Sequence, residues 1–87
     1  MPDPIAKPGD RSRGGGIITT AGELRVGDRL EFMGAARAVF FPITECEDTP
    51  KMVRLTINTG HFSPAQTVRM RKTTLCARGL REGETYA

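Results

Sequence analysis

Eighty-seven residues suffice for one domain and are too few for two. Hydrophobic residues at 38% and charged residues at 26% fit a globular domain rather than a disordered chain, and no apolar run is long enough to span a bilayer. The net charge of +3 is small in total but uneven: residues 20–50 hold three arginines against six acids, whereas residues 54–81 hold six basic residues and no acid.

Residues 1–16, MPDPIAKPGDRSRGGG, combine Pro2, Pro4 and Pro8 with the run from Gly14 to Gly16. Prolines lack a ladder donor and glycines raise the entropic cost of ordering, so a disordered N-terminal arm is expected, weakly basic at Arg11 and Arg13. Without an apolar segment behind a basic start it does not read as a secretion signal, which points to a cytoplasmic location.

From Ile17 short β-type runs alternate with turn signals, so residues 17–80 are expected to form a small β domain and residues 81–87 a frayed tail. GIITT reads as the first strand. AGELRVGD then brings Leu24 and Val26 inward around a turn at Gly27 and Asp28. RLEFM places Leu30 and Phe32 on one face, and after a Gly34–Ala36 turn RAVFFPITE does the same with Val39, Phe41 and Ile43. MVRLTIN alternates most cleanly, with Val53, Leu55 and Ile57 opposed to Met52, Arg54, Thr56 and Asn58. Beyond the loop at 59–66, TVRMRK turns Val68 and Met70 inward and TLCAR closes the series. Five or six antiparallel strands in about 70 residues favour a small all-β barrel, because closure removes exposed edges. So small a core is only marginally stable, which leaves both a monomer and a weak homodimer open.

The order LRVGDRLEF, RAVFFPITE, VRLTINTG and TVRMRK resembles the strand grammar of SH3-like barrels of the Tudor and KOW type, over roughly residues 22–78. The opening GELRVGDRL is also similar to that of short bacterial and phage proteins. The resemblance implies a five- to six-stranded SH3-like barrel that binds rather than catalyses. It departs from methyl-reading Tudor domains in its aromatics. Four Phe, one Tyr and no Trp, with Phe32 and Phe41 in the core, do not supply a cage.

Keeping core residues opposite one another predicts the register. Val39 pairs with Ile57, Phe41 with Leu55 and Ile43 with Val53, leaving 47–49 as a loop; Ile57 then pairs with Val68 and Leu55 with Met70. On the outer side this sets Phe40 beside Thr56, Pro42 beside Arg54, Thr56 beside Arg69 and Arg54 opposite Arg71. Arg54, Arg69, Arg71 and Phe40, with Lys72 at the strand end and His61 and Phe62 in the adjoining loop, make the candidate binding site. Cations that follow phosphates around a stacking aromatic suit single-stranded nucleic acid. The expected function is a non-enzymatic binding module for nucleic acid; the alternative is a protein-interaction module, of phage type, that docks on a larger host complex.

Catalysis and cofactors find no support in the pattern. His61 has no carboxylate near it in sequence, and phosphate-loop, HExxH and GxSxG motifs are lacking. Cys46 and Cys76 lie 30 positions apart and read as reduced core residues. With His61 and Asp48 they match no paired-ligand zinc spacing.

Overall fold

The computed structural model describes residues 7–60 and 65–87. Within them lie β1 (Ile17–Thr20), β2 (Arg29–Met33), β3 (Ala38–Asp48), β4 (Met52–Ile57), β5 (Gln66–Arg71) and β6 (Leu75–Arg78), with a 3-10 turn at Ala21–Glu23 after β1. All pairings are antiparallel and the strand order is β1-β6-β2-β3-β4-β5. β1 and β5 stand at opposite ends and share no ladder, so the sheet is open where a closed barrel was expected. The physical reason is the shortness of β1. After Thr20 the chain enters the 3-10 turn, whose Ala21 and Gly22 N–H groups donate to the carbonyls of Thr74 (2.9 Å) and Lys72 (3.0 Å). β1 therefore ends against the β5–β6 turn and does not run along the edge of β5.

The core gathers Leu24, Leu30, Ile43, Val53, Leu55 and Ile57, with Phe32, Phe41, Cys46, Val68, Met70 and Cys76 packed around it. The alternation read from β2, β4 and β5 is thus the one that folds. Val26 is the exception: expected inward, it is 60% exposed. It sits at the tip of a turn in which Gly27 takes a positive φ of 97° and the Asp28 carboxylate accepts the Arg25 N–H.

β3 pairs with two strands in succession, and this moves the register. Its first half pairs with β2, Val39 facing Phe32 and Phe41 facing Leu30. Its second half pairs with β4, where Ile43 faces Ile57 and, beyond a bulge between Ile43 and Glu45, Cys46 faces Leu55 and Asp48 faces Val53. The expected Val39–Ile57, Phe41–Leu55 and Ile43–Val53 pairs do not form, because Val39 and Phe41 are already opposite β2. The extra residue at the bulge keeps both Ile43 and Cys46 turned to the core. Between β4 and β5 the ladder lies two residues from the expected one, with Leu55 opposite Val68 and Val53 opposite Met70.

Residues 9–16 of the expected arm and the C-terminal tail are held by hydrogen bonds, whereas residues 1–6 of that arm lie outside the described residues. Gly9 N–H donates to the Ile18 carbonyl and Ile18 N–H to the Asp10 carbonyl, both at 2.8 Å, and Arg11 bridges Ile17. Ser12 Oγ donates to Glu31 Oε1 at 2.6 Å and Gly16 N–H to the same oxygen at 3.1 Å. A Cβ on Gly16 would stand 2.5 Å from the Arg78 carbonyl oxygen, so the glycine allows a close approach of chain to sheet. The tail expected to fray is tied by Arg78, Arg81, Tyr86 and Ala87. Arg78, 5% exposed at a core-facing strand position, forms a fork with Glu84, in which Nη2 and Oε2 are 2.8 Å apart. Arg81 donates through Nε and Nη2 to both oxygens of Asp28 at 2.8 Å. Tyr86 donates its hydroxyl proton to the Gly15 carbonyl, and the Ala87 N–H donates to the Gly9 carbonyl.

The Arg78 guanidinium and the Arg81 N–H hold the Glu84 carboxyl down at about 2. Burial would raise Asp28, but its bonds from Arg81 and the Arg25 N–H outweigh that and lower it. Both folded values lie below the unfolded ones, so this stabilisation is complete above about pH 4–5 and is lost as pH falls through the folded values. Thermal midpoints should be flat from neutral pH to about pH 5 and drop below about pH 4. Glu84→Gln should melt lower at neutral pH and decline less in acid; parallel pH profiles for the two proteins would count against this role. Gly16→Ala should destabilise by about 1–3 kcal/mol through overpacking against Arg78, measured by urea unfolding.

Candidate functional site

The outer surface of β3, β4 and β5 carries the charges. Residues 52, 54 and 56 point away from the core side chains Val53, Leu55 and Ile57, as strand alternation requires. The ladder sets Glu45 beside Thr56 and Thr67, Glu47 beside Arg54 and Arg69, and Met52 beside Arg71. Arg54 is therefore opposite Arg69, not Arg71, and a like-charge pair forms two residues away from where the sequence put it.

The hydrogen-bonding phase sharpens that contact. The Lys72 N–H donates to the Lys51 carbonyl, which makes this a hydrogen-bonded pair and, by alternation, makes Arg54–Arg69 a non-hydrogen-bonded one. Cβ atoms come closest at such positions, so two like charges start from directly opposed points on the ladder. Arg54 has one acidic neighbour, Glu47 Oε2 at 3.8 Å, and both side chains are about half exposed or more (49% and 66%). A contact so exposed contributes little, on the order of 0–1 kcal/mol. Arg69 and Arg71 are exposed and have no ion-pair partner among the described residues.

The remaining candidates separate. Lys72 is engaged by Asp48, Nζ to Oδ1 at 2.8 Å, and helps fasten the β5–β6 turn to the end of β3. Phe40 is not beside Thr56; it faces Glu31 on β2, and the Arg29 guanidinium lies 6.0 Å from its ring centre. Pro42 faces Arg29 rather than Arg54. The two-partner course of β3 causes both departures, since residues 38–42 belong to the β2 ladder. His61 and Phe62 lie outside the described residues. Lys51, exposed just before β4, and the carboxylates of Glu45 and Glu47 also belong to this region, and the expected register did not turn the two acids to this side. Only the bulge assigns Glu45 and Glu47 to the outer side together.

Elsewhere, an open groove of about 310 Å³ crosses the outer side of β1, β6 and β2, lined by Ile18, Met33, Leu75 and Ala77 with Ser12 and Glu31. Cys46 and Cys76 are free thiols; burial raises both, Cys76 to about 11, and makes them poor nucleophiles at neutral pH. Among the described residues no group of three His, Cys, Asp or Glu side chains converges as a metal site, and no helix is long and apolar enough to cross a membrane.

Comparison with known protein families, curated proteins and solved structures finds no match to this chain.

Relief of the Arg54–Arg69 contact should stabilise the fold. Arg69→Glu places an acid opposite Arg54 and is expected to gain about 0.2–1 kcal/mol. The gain should shrink with added salt, as charge screening requires. Unfolding curves at low and high ionic strength check both; a loss of stability would show that the pair is not strained.

Proposed function

We propose that this chain is a non-enzymatic binding module that engages an acidic protein partner through the outer side of β4 and β5. The observation that carries the reading is the register that sets Arg54 opposite Arg69, with Arg71 next on the same side of an edge strand. Such a pair raises the energy of the free protein and is relieved when carboxylates arrive. A protein partner fits better than nucleic acid because β4 and β5, MVRLTI and QTVRMR, offer no ring on which a base could stack. Phe40, the aromatic on which bases would stack, belongs to the β2 side.

Nucleic acid is the second reading, supported by the exposed Arg69 and Arg71, by Lys51 and by the net charge of +3. Kinship with SH3-like barrels of Tudor or KOW type and a phage-type docking role are likewise proposals; they rest on the L-x-x-G-D turn at residues 24–28 and the succession of short strands. The free thiols of Cys46 and Cys76 suit work in a reducing cytoplasm.

Titration with a glutamate-rich peptide and with single- and double-stranded oligonucleotides, at low and moderate salt, decides between the readings. The peptide should bind, weaken with salt, and lose its affinity when Arg69 and Arg71 are both replaced by Glu. Phe40→Ala should leave it unchanged. Oligonucleotide binding that exceeds peptide binding would transfer the site to the second reading.

A further inference from the structure

The two ends of the sheet are finished differently. The outer edge of β1 is covered by the chain's own residues 9–11, through the Gly9–Ile18, Ile18–Asp10 and Arg11–Ile17 pairings. β5 has β4 on one side and, among the described residues, no strand on the other. The same alternation that makes Arg54 and Arg69 a non-hydrogen-bonded pair turns the backbone of residues 66, 68 and 70 toward β4. It leaves the N–H and C=O groups of Thr67 and Arg69, and the N–H of Arg71, directed to the open edge. The Arg71 carbonyl is taken by the Thr74 N–H at 3.0 Å.

We infer that this edge receives an extended acidic segment of a partner protein as an added β-strand, with carboxylates opposite Arg69 and Arg71 and apolar side chains opposite Val68 and Met70. The inference rests on the acidic-partner reading above and names how that partner binds. Two features of the edge select the same ligand. On the outer side Arg69 and Arg71 supply unpaired positive charge, and on the inner side Val68 and Met70 are only half-buried and flank the core. An added strand alternates its side chains between these two sides, so a sequence alternating acid and apolar residue satisfies both. The backbone groups waiting at Thr67, Arg69 and Arg71 give the affinity that is independent of sequence.

Thr67→Pro separates strand addition from plain charge attraction. It removes an N–H that faces the open edge, keeps Arg54, Arg69 and Arg71, and leaves the β4 ladder its bonds at residues 66, 68 and 70. The probe is a short peptide alternating glutamate and valine, titrated by fluorescence anisotropy, with its scrambled version of equal charge as comparison. The native sequence should prefer the alternating peptide, and Thr67→Pro should weaken it about tenfold while leaving the scrambled peptide unchanged. In the unsubstituted protein, the amide protons of Thr67, Arg69 and Arg71 should become protected from hydrogen exchange on adding the alternating peptide. That readout stands even where the proline variant unfolds. Equal binding of both peptides without protection at these amides overturns strand addition but leaves the acidic-partner reading in place. Failure of both peptides to bind overturns the two together.

Discussion

β3 is the constraint on which the rest of the structure depends. Its eleven residues are too long for one partner, so the first half completes a hairpin with β2 and the second half a hairpin with β4. The bulge between Ile43 and Glu45 shifts the side-chain phase by one residue, so that inward residues on both halves reach the same core. Pro42 sits just before it. Its carbonyl accepts the Asn58 N–H at 3.0 Å beyond the end of β4, where a missing ladder donor costs least. Leu30 and Phe41 from one hairpin and Cys46 and Leu55 from the other then meet in one apolar cluster.

A domain this small cannot rely on that cluster alone, and the polar ties around it show how the remainder is held. Arg78 occupies a strand position where the alternation calls for an apolar residue, opposite Leu30 and Ile17. The Glu84 fork and the Gly79 carbonyl at 3.1 Å satisfy its terminal nitrogens, whereas its Nε has no partner within the described residues. A buried guanidinium without its carboxylate is strongly unfavourable, so the tail from Arg81 onward is bound to the sheet by need rather than by apolar contact. Glu31 plays the matching part at the other chain end, where one carboxylate oxygen collects Ser12 and Gly16. Glycines at 14 and 16 let that segment lie close to the sheet.

The same economy shapes the two edges of the sheet. An open sheet has two edges, and an unguarded edge invites unwanted pairing. One edge is closed by the chain itself. The other carries Arg69 and Arg71, charges that repel a second copy of this strand and attract an acidic one. On the proposed reading, edge protection and partner choice are two consequences of one placement of charge.

Much of this was legible in the chain because strand alternation is a local signal. Leu30, Val53, Leu55, Ile57, Val68 and Met70 follow period two and fold as that period requires. The like-charge contact on β4 and β5 followed from it as well, since either register leaves Arg54 opposite an arginine. The position of Phe40 was not legible, nor were the acids beside Arg54, the ordering of residues 7–16 or the bound tail. Each depends on pairing between distant segments. A strand's sequence says which side chains share a face, and Pro42, which has no ladder donor, marks a bend close to the observed bulge, but neither says which of two neighbours the strand meets. The glycines and charges near the termini read as an unstructured end until Glu31, Asp28 and Glu84 are placed beside them. Strand positions, the inward faces of β2, β4 and β5 and the basic character of β5 are local properties already present in the chain. Which edge stays open and which charges stand together emerge on folding, because register and ion pairing are set by contacts between residues far apart in the chain.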